Sequence, residues 1–469
     1  MMKPNGSDSE AEGPFEAATS STPLLAHSGG SGSGSGSCFY IPRRYLIAGL
    51  LFFAITIGYA IRVIMSIAIL YIGKGTKWEF NETTHGLVLA SFFMGYLFTQ
   101  LPSGELCRKI GPKLSYMLFF SVASVATILV PVGGASLPVI ILMRICTGLG
   151  EGILFPGTHA VVSAWVPPDE RATLLGFIWS GTQVGTMVAL ATTEIICQKL
   201  GWAYVFYIWG SLGLVWVVTW TAFAIDSPVT QIKAGGRKWS LFKISHRESE
   251  YLVSQIPALT TPEQATPWKL LLSSSATWAI VAGHFSAAWI SYVLLGFLPK
   301  FLKSLHYNPG SYGLIPYAGT ALVQVIAGKL ADITINKFKV RTVWVRRIWQ
   351  TIGAMGTSLF LALIAGLVKT QKDGVQAVVY LTLAMSIGAF VSSGYGANHI
   401  DIGPKYAGPL MGITNSFATI PGVVGIFLTG FILDHTHGSY FIVWILGISI
   451  YAVCTVIFWI WVKGEVIFA

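Results

Sequence analysis

Twelve long apolar segments constrain the fold of this chain more than any other feature of its sequence. Each is long enough to cross a lipid bilayer as a helix, which rises about 1.5 Å per residue. Only 11% of the 469 residues are charged, whereas a soluble domain carries about 25%. We therefore predict an all-α, polytopic membrane protein, with spans near 44–72, 86–106, 112–131, 137–165, 171–198, 202–224, 276–300, 311–331, 346–368, 374–397, 406–431 and 438–463.

A polar stretch between the sixth and seventh segments divides the chain into two sets of six. A Gly-led turn with basic ends follows the second segment at 104–113, and a similar turn follows the eighth at 328–337. Repeated six-helix halves are typical of transporters that expose a midplane site alternately to the two sides of the membrane. The predicted parts are a disordered tail (1–38), a first half (39–225), a partly helical cytosolic linker (226–273) and a second half (274–469).

The basic residues indicate how the chain is oriented. The net charge of +10 would also suit a nucleic-acid-binding protein, but Lys and Arg do not alternate with aromatic residues as in a nucleic-acid surface. They fall instead in one alternating set of loops between the apolar runs, which is the positive-inside pattern. We therefore predict that both termini and the linker are cytosolic, and that the partner of the surface is the bilayer and not nucleic acid.

Two short motifs outside the spans predict trafficking and modification. Leu24 and Leu25 form a dileucine pair in the tail, with Ser20 where an acidic residue usually stands. Such a pair is a sorting signal read by an adaptor, although a disordered tail also contains leucine pairs by chance. Asn81 begins an Asn-Glu-Thr sequon in the first non-cytosolic loop. The sequon predicts N-glycosylation there; the alternative is that the short loop excludes the glycan sterically.

The fourth segment carries three polar residues in an apolar setting. Arg144, Glu151 and His159 are spaced seven and eight apart, which places them on one face of a continuous helix. Gly148 shares that face and allows close approach of another helix. A charge at bilayer depth costs about 2.5–3.5 kcal/mol, so such residues usually face a polar interior and carry function. The alternative is an Arg–Glu pair that only locks helices together.

Other segments add further candidates. Arg62 lies in the middle of the first segment, where its planar guanidinium suits a carboxylate or phosphate; a structural ion pair is the alternative. His284, in the seventh segment, is either a substrate or proton contact or a satisfied interior histidine. His399 and Asp401 close the tenth segment on the cytosolic side, and we interpret them as gate or capping residues. Glu194 near the end of the fifth segment is most simply an exposed residue at the mouth.

Enzymatic chemistry is not indicated. The chain has no Ser/His/Asp elbow, no P-loop and no GxGxxG in a βαβ setting, and its five cysteines lack metal-ligand spacing. We predict no cofactor, no metal site and no catalytic residue. An intramembrane enzyme would need a nucleophile or metal cluster near one interface, and a receptor or structural protein would not need Arg62 and Glu151 in apolar segments.

Several motifs resemble a known family. The twelve segments, the Gly-led loop and Arg144 are similar to the major facilitator superfamily. Longer motifs resemble its organic-anion branch, which contains sialin and the vesicular glutamate transporters, and among these the sialin type is the most similar. These motifs are Tyr59-Ala-Ile-Arg62, Ser91-Phe-Phe-Met-Gly-Tyr96, Gly148-Leu-Gly-Glu-Gly152, Trp165-Val-Pro-Pro-Asp-Glu-Arg171, Asn398-His-Ile-Asp401 and the run from Gly412 to Gly422.

The resemblance implies roles for individual residues. Arg62 would bind the substrate anion, with Tyr96, His284 and Asn415 as further substrate contacts. Glu151 would accept the coupling proton, Arg144 would be its charge partner, and His159 would complete their network. The loop and gate motif would comprise Gly104, Arg108, Gly111, Asp332, His399 and Asp401.

Some positions depart from the family pattern. Arg108 stands where the superfamily usually has Asp, Thr147 stands where sialin has an acid, and Ala287-Ala288 replace a Tyr-Asn pair. These departures leave transport as the expectation and put the identity of the substrate in question. The vesicular glutamate transporters have an arginine where this chain has Ala287, which argues against vesicular glutamate loading.

The resemblance therefore predicts a secondary transporter of small organic anions: sialic acid or another acidic sugar, or an acidic amino acid. The coupling ion would be H⁺, with symport out of an acidic lumen by alternating access. The expected location is the lysosomal or late-endosomal membrane, with the plasma membrane or a synaptic vesicle as alternatives. Two alternatives to proton-coupled transport of an organic anion are sodium-dependent transport of phosphate and anion transport driven by the membrane potential.

Overall fold

Twelve helices long and apolar enough to cross a membrane make up most of the protein. The computed structural model describes residues 42–72, 82–134, 136–228, 245–256, 265–307, 312–368, 373–436 and 438–468, and Leu24, Leu25 and Asn81 lie outside them. The membrane helices, TM1 to TM12, are Arg43–Ile72, Glu82–Ile110, Pro112–Leu129, Leu137–Trp165 (in two pieces), Arg171–Lys199, Trp202–Phe223, Ser275–Ser304, Leu314–Asn336, Thr342–Leu367, Gly374–Ile402 (with an internal π-turn), Ala407–His435 and Phe441–Trp461.

The packing of the first six helices recurs in the last six. TM1 packs on TM5, TM2 on TM4, and TM3 on TM6; correspondingly, TM7 packs on TM11, TM8 on TM10, and TM9 on TM12. Glycines permit the closest contacts: a Cβ on Gly148 would lie 2.0 Å from the carbonyl oxygen of Phe92, so TM2 touches the TM4 backbone directly. Gly148 thus has the helix-packing role that the sequence indicates.

The two halves meet through TM2 with TM11 and TM5 with TM8. Some of these contacts lie at one end of the bundle, which we call the basic end. It carries Arg44, Arg108, Arg171 and Arg346. Here a Cβ on Gly104 would lie 2.5 Å from the carbonyl oxygen of Gly408. The bundle is therefore closed at its basic end.

TM4 is not the continuous helix that its apolar run predicts. Its regular helix ends at Glu151 and resumes at Leu154. Pro156 has no N–H to donate to the carbonyl oxygen of Gly152, and the Ser103 hydroxyl of TM2 donates to that oxygen instead, at 3.0 Å. The interruption is local, because Gly152 and Ile153 keep right-handed helical dihedrals. His159 nevertheless lies eight residues beyond Glu151, or about 12 Å along the axis.

The described parts of the linker are attached to the first half. In the linker helix His246–Gln255, the Glu248 carboxylate accepts hydrogen bonds from the backbone N–H groups of Arg43 (2.9 Å) and Arg44 (3.3 Å). It thereby caps the N-terminus of TM1, where a negative charge is favoured. Further along, Arg108 donates to the Thr266 hydroxyl at 3.0 Å.

Candidate functional site

A cavity of about 190 Å³ lies between the two halves. TM1, TM4 and TM5 line it from the first half, and TM7 to TM12 from the second. Among the described residues that line it there is no Asp, Glu, Lys or Arg; the polar groups are hydroxyls, phenols, amides, an indole and an imidazole. They include Tyr59, Trp179, Thr182, Gln183, Thr186, His284, Ser291, Tyr292, Thr320, Gln324, Thr357, Ser392, Tyr395, Asn415 and Tyr451. The lining side chains can therefore hydrogen-bond to a neutral polar molecule. To bind an ion, the cavity needs a charged residue that lies outside this lining.

A buried ion pair lies behind the cavity wall. The Nη2 and Nε atoms of Arg62 donate to Oε2 of Glu151 at 3.1 and 3.3 Å, and the exposed fractions of these residues are 6% and 0%. The Arg62 guanidinium also lies 4.7 Å from the ring centre of Tyr59, which lines the cavity, and 4.6 Å from that of Tyr96. Stacking on these rings replaces part of the hydration that the buried cation has lost.

Arg144 is not the partner of Glu151 in this structure. No ion pair joins the two, although both are described; Arg144 instead lies over the ring of Phe92, at 4.9 Å. Arg62 approaches Glu151 from the neighbouring helix and makes the hydrogen bonds, whereas Arg144 acts on this carboxylate only through its charge. The hydrogen-bonded partner of Glu151 is therefore Arg62, and Arg144 is a second cation nearby.

The pair does not use all of its hydrogen-bonding capacity. Oε1 of Glu151, Nη1 of Arg62 and Nε of Arg144 are buried without a hydrogen-bond partner. Buried polar groups are normally satisfied, and unsatisfied ones mark strained or functional sites. A proton could bind at Oε1 of Glu151 without displacing a hydrogen bond, and Arg62 retains a donor with which to bind a second anion.

Two residues predicted to bind substrate contact each other. The Asn415 amide donates to the Tyr96 hydroxyl at 2.9 Å and to Oε1 of Gln100 at 2.7 Å. Because Asn415 is on TM11 and its partners are on TM2, this contact joins the two halves. Asn415 lines the cavity, whereas Tyr96 lies behind it, beside Arg62.

His159 lies apart from the Arg62–Glu151 pair, in a group with His284 and His399 that we call the histidine floor. The ring centres of His159 and His399 are 4.9 Å apart, and those of His284 and His399 are 6.4 Å apart. His284 and His399 both contact the Thr414 hydroxyl, at 3.2 and 2.7 Å. The expectation that His159 completes the Glu151 network is wrong here, because the ring nitrogens of His159 contact the carbonyl oxygens of Phe155 and Gly396 instead.

His399, interpreted from the sequence as a gate or capping residue, lies inside the bundle. It is fully buried, and its Nδ1 atom lies 2.9 Å from the carbonyl oxygen of Gly396. Gly396 closes the π-turn Ser392–Gly396 within TM10, and such turns occur frequently at functional sites. Asp401, one turn further, accepts from Nε (2.6 Å) and Nη2 (3.2 Å) of Arg346 on TM9, so this carboxylate joins two helices of the second half.

The loop-motif residues lie at the basic end. Asp332 accepts from the backbone N–H groups of Ala172 (3.2 Å) and Thr173 (2.7 Å), so a TM8 carboxylate caps TM5 across the two halves. In the first half, Arg108 pairs instead with Glu105 at 2.6 Å. Gly111 has a φ of 87°, a conformation that favours glycine, between TM2 and TM3.

The Asp226 carboxylate, just beyond TM6, supports the same loop. It accepts from the backbone N–H of Lys113 at 2.8 Å. Burial raises the pKa of the Asp226 carboxyl above its usual range, while the Lys113 N–H group and charge oppose the rise. Asp226 thus closes the N-terminus of TM3 at the cost of a partly buried charge.

Comparison with known sequences decides the family. A sequence profile described as the Major Facilitator Superfamily matches residues 47–426. The chain belongs to this superfamily. It is accordingly a multi-pass membrane transporter and not an enzyme.

Individual relatives of this superfamily member narrow the class. Sialin of Homo sapiens is 36% identical over 488 aligned positions, which cover 96% of this chain and 95% of sialin. The chloroplastic sodium-dependent phosphate transport protein 1 of Arabidopsis thaliana is 34% identical, over 90% of this chain and 80% of its own. The chain is therefore a sialin-like anion transporter of the superfamily.

A solved structure supports the fold independently. The proton:xylose symporter XylE, bound to 6-bromo-6-deoxy-D-glucose, superposes with a TM-score of 0.70, covering 91% of this chain and 97% of XylE. At 16% sequence identity, this likeness concerns the fold alone. It agrees with the all-α architecture of twelve membrane helices predicted from the sequence.

Sequence reasoning missed several residues of the site. Thr414 joins two histidines of the floor, Trp179 packs on His159 with ring centres 5.5 Å apart, and Tyr395 stacks on His284 at 4.8 Å. Thr414 lies within one of the motifs shared with the family, which is the signal that could have found it. Trp179 and Tyr395 occur in apolar runs and carry no such signal.

Proposed function

We propose that this protein carries a small organic anion together with a proton, by alternating access, out of an acidic compartment. The observation that carries the proposal is the buried Arg62–Glu151 pair behind a cavity whose described lining carries no charged side chain. An anion in that cavity needs a counter-charge, and Arg62, which packs on the lining residue Tyr59, can supply one. The carboxylate that occupies Arg62 must first release it.

Proton binding provides that release. When Glu151 takes up a proton it loses its charge, and the attraction that holds Arg62 to it falls to that of a neutral hydrogen bond. Arg62 then becomes available to the carboxylate of the substrate, so the proton and the anion bind together. After the anion leaves on the other side, Glu151 loses its proton and pairs with Arg62 again, which resets the carrier.

The polar groups of the cavity favour an acidic sugar over an acidic amino acid. Hydroxyl, phenol and amide groups such as Thr182, Gln183 and Gln324 suit the hydroxyls of a sugar. An amino acid also carries an ammonium group, which would need a carboxylate in the wall, and the described lining has none. The 36% identity to human sialin supports the same choice. We therefore propose sialic acid or a related acidic sugar as the substrate class.

We further propose that the basic end faces the cytosol, following the positive-inside pattern, and that the protein resides in the lysosomal or late-endosomal membrane. The closed basic end then leaves the acidic lumen as the side from which substrate and proton enter.

Reconstituted proteoliposomes test this function. Uptake of labelled sialate, aspartate and phosphate should be measured under an imposed pH gradient, under a potassium diffusion potential, and with or without sodium. We expect sialate accumulation driven by the pH gradient. Accumulation driven only by the potential, or sodium-dependent uptake of phosphate as in the similar Arabidopsis protein, would support the alternative functions instead.

Two matched variants localise the coupling. Glu151→Gln mimics the protonated carboxyl permanently, so it should lose gradient-driven accumulation but retain exchange of labelled for unlabelled substrate. The control is Glu194→Gln, which removes an exposed carboxylate whose described contact is Gln198 and should keep both activities. Gradient-driven accumulation by Glu151→Gln would place the proton site elsewhere.

A further inference from the structure

Arg347, in the second turn of TM9, carries a positive charge that no described carboxylate neutralises. TM9 begins at Thr342, so Arg347 lies five residues, or about 7.5 Å, along the helix from the basic end. Its Nε atom is buried without a hydrogen-bond partner. The preceding residue, Arg346, is instead held by Asp401. Two adjacent arginines of TM9 thus differ, one being paired inside the bundle and the other lacking an anion.

Two indole rings hold the Arg347 guanidinium in place. Its central carbon lies 5.1 Å from the ring centre of Trp344 on TM9 and 5.4 Å from that of Trp459 on TM12. Nε1 of Trp459 donates to the Thr351 hydroxyl at 2.6 Å, and this hydroxyl donates to the carbonyl oxygen of Arg347 at 2.9 Å. We call this arrangement the indole cradle. Contact with the rings favours the cation but uses none of its N–H donors.

The indole cradle lies in a groove between TM9 and TM12, which pack together. Exposed apolar side chains flank it: Ile348 follows Arg347 on TM9, and Ile460 and Trp461 follow Trp459 on TM12. In a bundle that spans a membrane, such side chains contact the lipid. An arginine near the end of a span can place its guanidinium at the level of the lipid headgroups. The anion that this position offers to Arg347 is therefore a lipid phosphate.

The rim of the groove is basic. Arg341 stands immediately before TM9 and Lys463 stands two residues after TM12, and both are exposed. The chain beyond TM12 packs on the start of TM9, because a Cβ on Gly464 would lie 2.4 Å from the backbone nitrogen of Val343. Glu465 adds one exposed carboxylate to this segment. Together with the cradled guanidinium, the rim keeps an excess of positive charge, which favours a headgroup of net negative charge over a zwitterionic one.

The groove suits a phospholipid better than a soluble anion. The planar guanidinium matches two oxygens of a phosphate, whether that phosphate is free or part of a lipid. A free phosphate would have to leave water for a site flanked by exposed apolar side chains. A phospholipid instead places its acyl chains on those side chains and its phosphate on Arg347.

We propose that the groove between TM9 and TM12 binds an anionic phospholipid of the leaflet at the basic end, with its phosphate on Arg347. Arg341 and Lys463 contact the negatively charged part of the headgroup, and Ile348 and Ile460 contact the acyl chains. This lipid is bound at the outer surface of the bundle and is not the transported substrate. The proposal is independent of the anion carried, of proton coupling and of the compartment that the basic end faces.

Photo-crosslinking of the full chain in nanodiscs tests this site. A phosphatidylserine with a diazirine in one acyl chain, or a phosphatidylcholine with the same acyl chain, is added at a low mole fraction to phosphatidylcholine nanodiscs. Mass spectrometry then measures adducts on the TM9 and TM12 peptides, normalised to those on TM3. We expect adducts around Ile348 and Ile460, about fivefold more abundant with phosphatidylserine.

Two further results of this experiment decide between the sources of the phosphate. Unlabelled phosphatidylserine should reduce the adducts, whereas inorganic phosphate at constant ionic strength should not. Equal labelling by the two lipids would overturn the proposal. Competition by inorganic phosphate would also overturn it, because the groove would then be a site for a soluble anion.

Variants assign the preference to individual residues. Arg347→Gln should lower phosphatidylserine labelling of the groove about tenfold, through loss of a charge-assisted hydrogen bond. Arg347→Lys keeps the charge without the planar fork and should give an intermediate level. Replacing both Arg341 and Lys463 by Gln should bring the two lipids to equal labelling.

The matched control is Arg247→Gln, which removes an exposed cation from the linker helix on the first half. This variant should keep the wild-type labelling by both lipids. Unchanged labelling in Arg347→Gln, or an equal loss in Arg247→Gln, would show that Arg347 does not bind the lipid phosphate and would overturn the proposal.

Discussion

Replacement of Glu151 by Gln should increase the affinity for the anion at neutral pH and abolish its dependence on pH. In the wild type, the substrate carboxylate competes with Glu151 for Arg62, which makes two hydrogen bonds to one glutamate oxygen, at 3.1 and 3.3 Å. Hydrogen bonds to charged groups contribute about 1.5–3 kcal/mol each. Part of this free energy is recovered when the carboxylate of the anion takes the place of Glu151 on Arg62. We therefore take the net free-energy cost of displacing Glu151 to be about 3 kcal/mol.

That cost corresponds to about a hundredfold in the dissociation constant. In the wild type the constant should decrease towards acidic pH, by up to about tenfold per unit, because each anion bound requires one proton on Glu151. In Glu151→Gln, it should be low and flat between pH 5 and pH 8. Equilibrium binding of labelled sialate to purified protein in nanodiscs measures both quantities.

The matched control is Glu194→Gln, because Glu194 is exposed and its described contact is Gln198, one turn further along TM5. This variant should reproduce the wild-type pH dependence. The competition mechanism is refuted if the Glu151→Gln variant binds the anion with a wild-type slope against pH, or binds it more weakly than the wild type at neutral pH.

Three further outcomes are expected. Arg62→Ala should abolish uptake while the protein still folds, and normal transport by this variant would show that Arg62 does not bind the anion. Arg62→Lys keeps the positive charge but loses the planar guanidinium. It should raise the KM by about tenfold, which corresponds to the loss of one charge-assisted hydrogen bond. Changing both Leu24 and Leu25 to Ala should move the protein to the cell surface, measured by surface biotinylation, and unchanged localisation would show that this pair is not the signal. Asp226→Asn keeps an acceptor for the Lys113 N–H and removes a carboxylate whose pKa burial raises. The melting temperature of this variant should therefore exceed that of the wild type at pH 7.5, and the difference should shrink as the pH falls and Asp226 takes up a proton. A lower melting temperature at pH 7.5 would contradict this.

The architecture was predictable because hydrophobic length is a strong signal. All twelve spans and the glycine contact of Gly148 follow from segment length and small-residue spacing. The partners of the buried charges do not follow, because one helix's periodicity shows which face a residue occupies but not which neighbour meets that face. Arg62 therefore replaced Arg144 as the partner of Glu151.

Local backbone irregularities account for the other differences. Pro156 lies at a local interruption of the TM4 hydrogen-bond ladder, and the π-turn in TM10 presents the Gly396 carbonyl to two histidines. A proline in an apolar run signals such a break, whereas nothing in the sequence of TM10 reveals its extra residue per turn. The histidine floor depends on this π-turn and was not predictable from spacing.

The attachments of the linker determine where the chain can flex. Glu248 holds the start of TM1, and Thr266 bonds to Arg108 on TM2, so both described parts of the linker are anchored to the first six helices. A short helix, Trp268–Ser273, follows Thr266 and packs on TM7, which begins at Ser275. In the alternating access proposed above, the boundary between the two halves therefore falls between Thr266 and Trp268, not at the centre of the polar stretch. A probe on the linker helix His246–Gln255 would then report the motion of the first half.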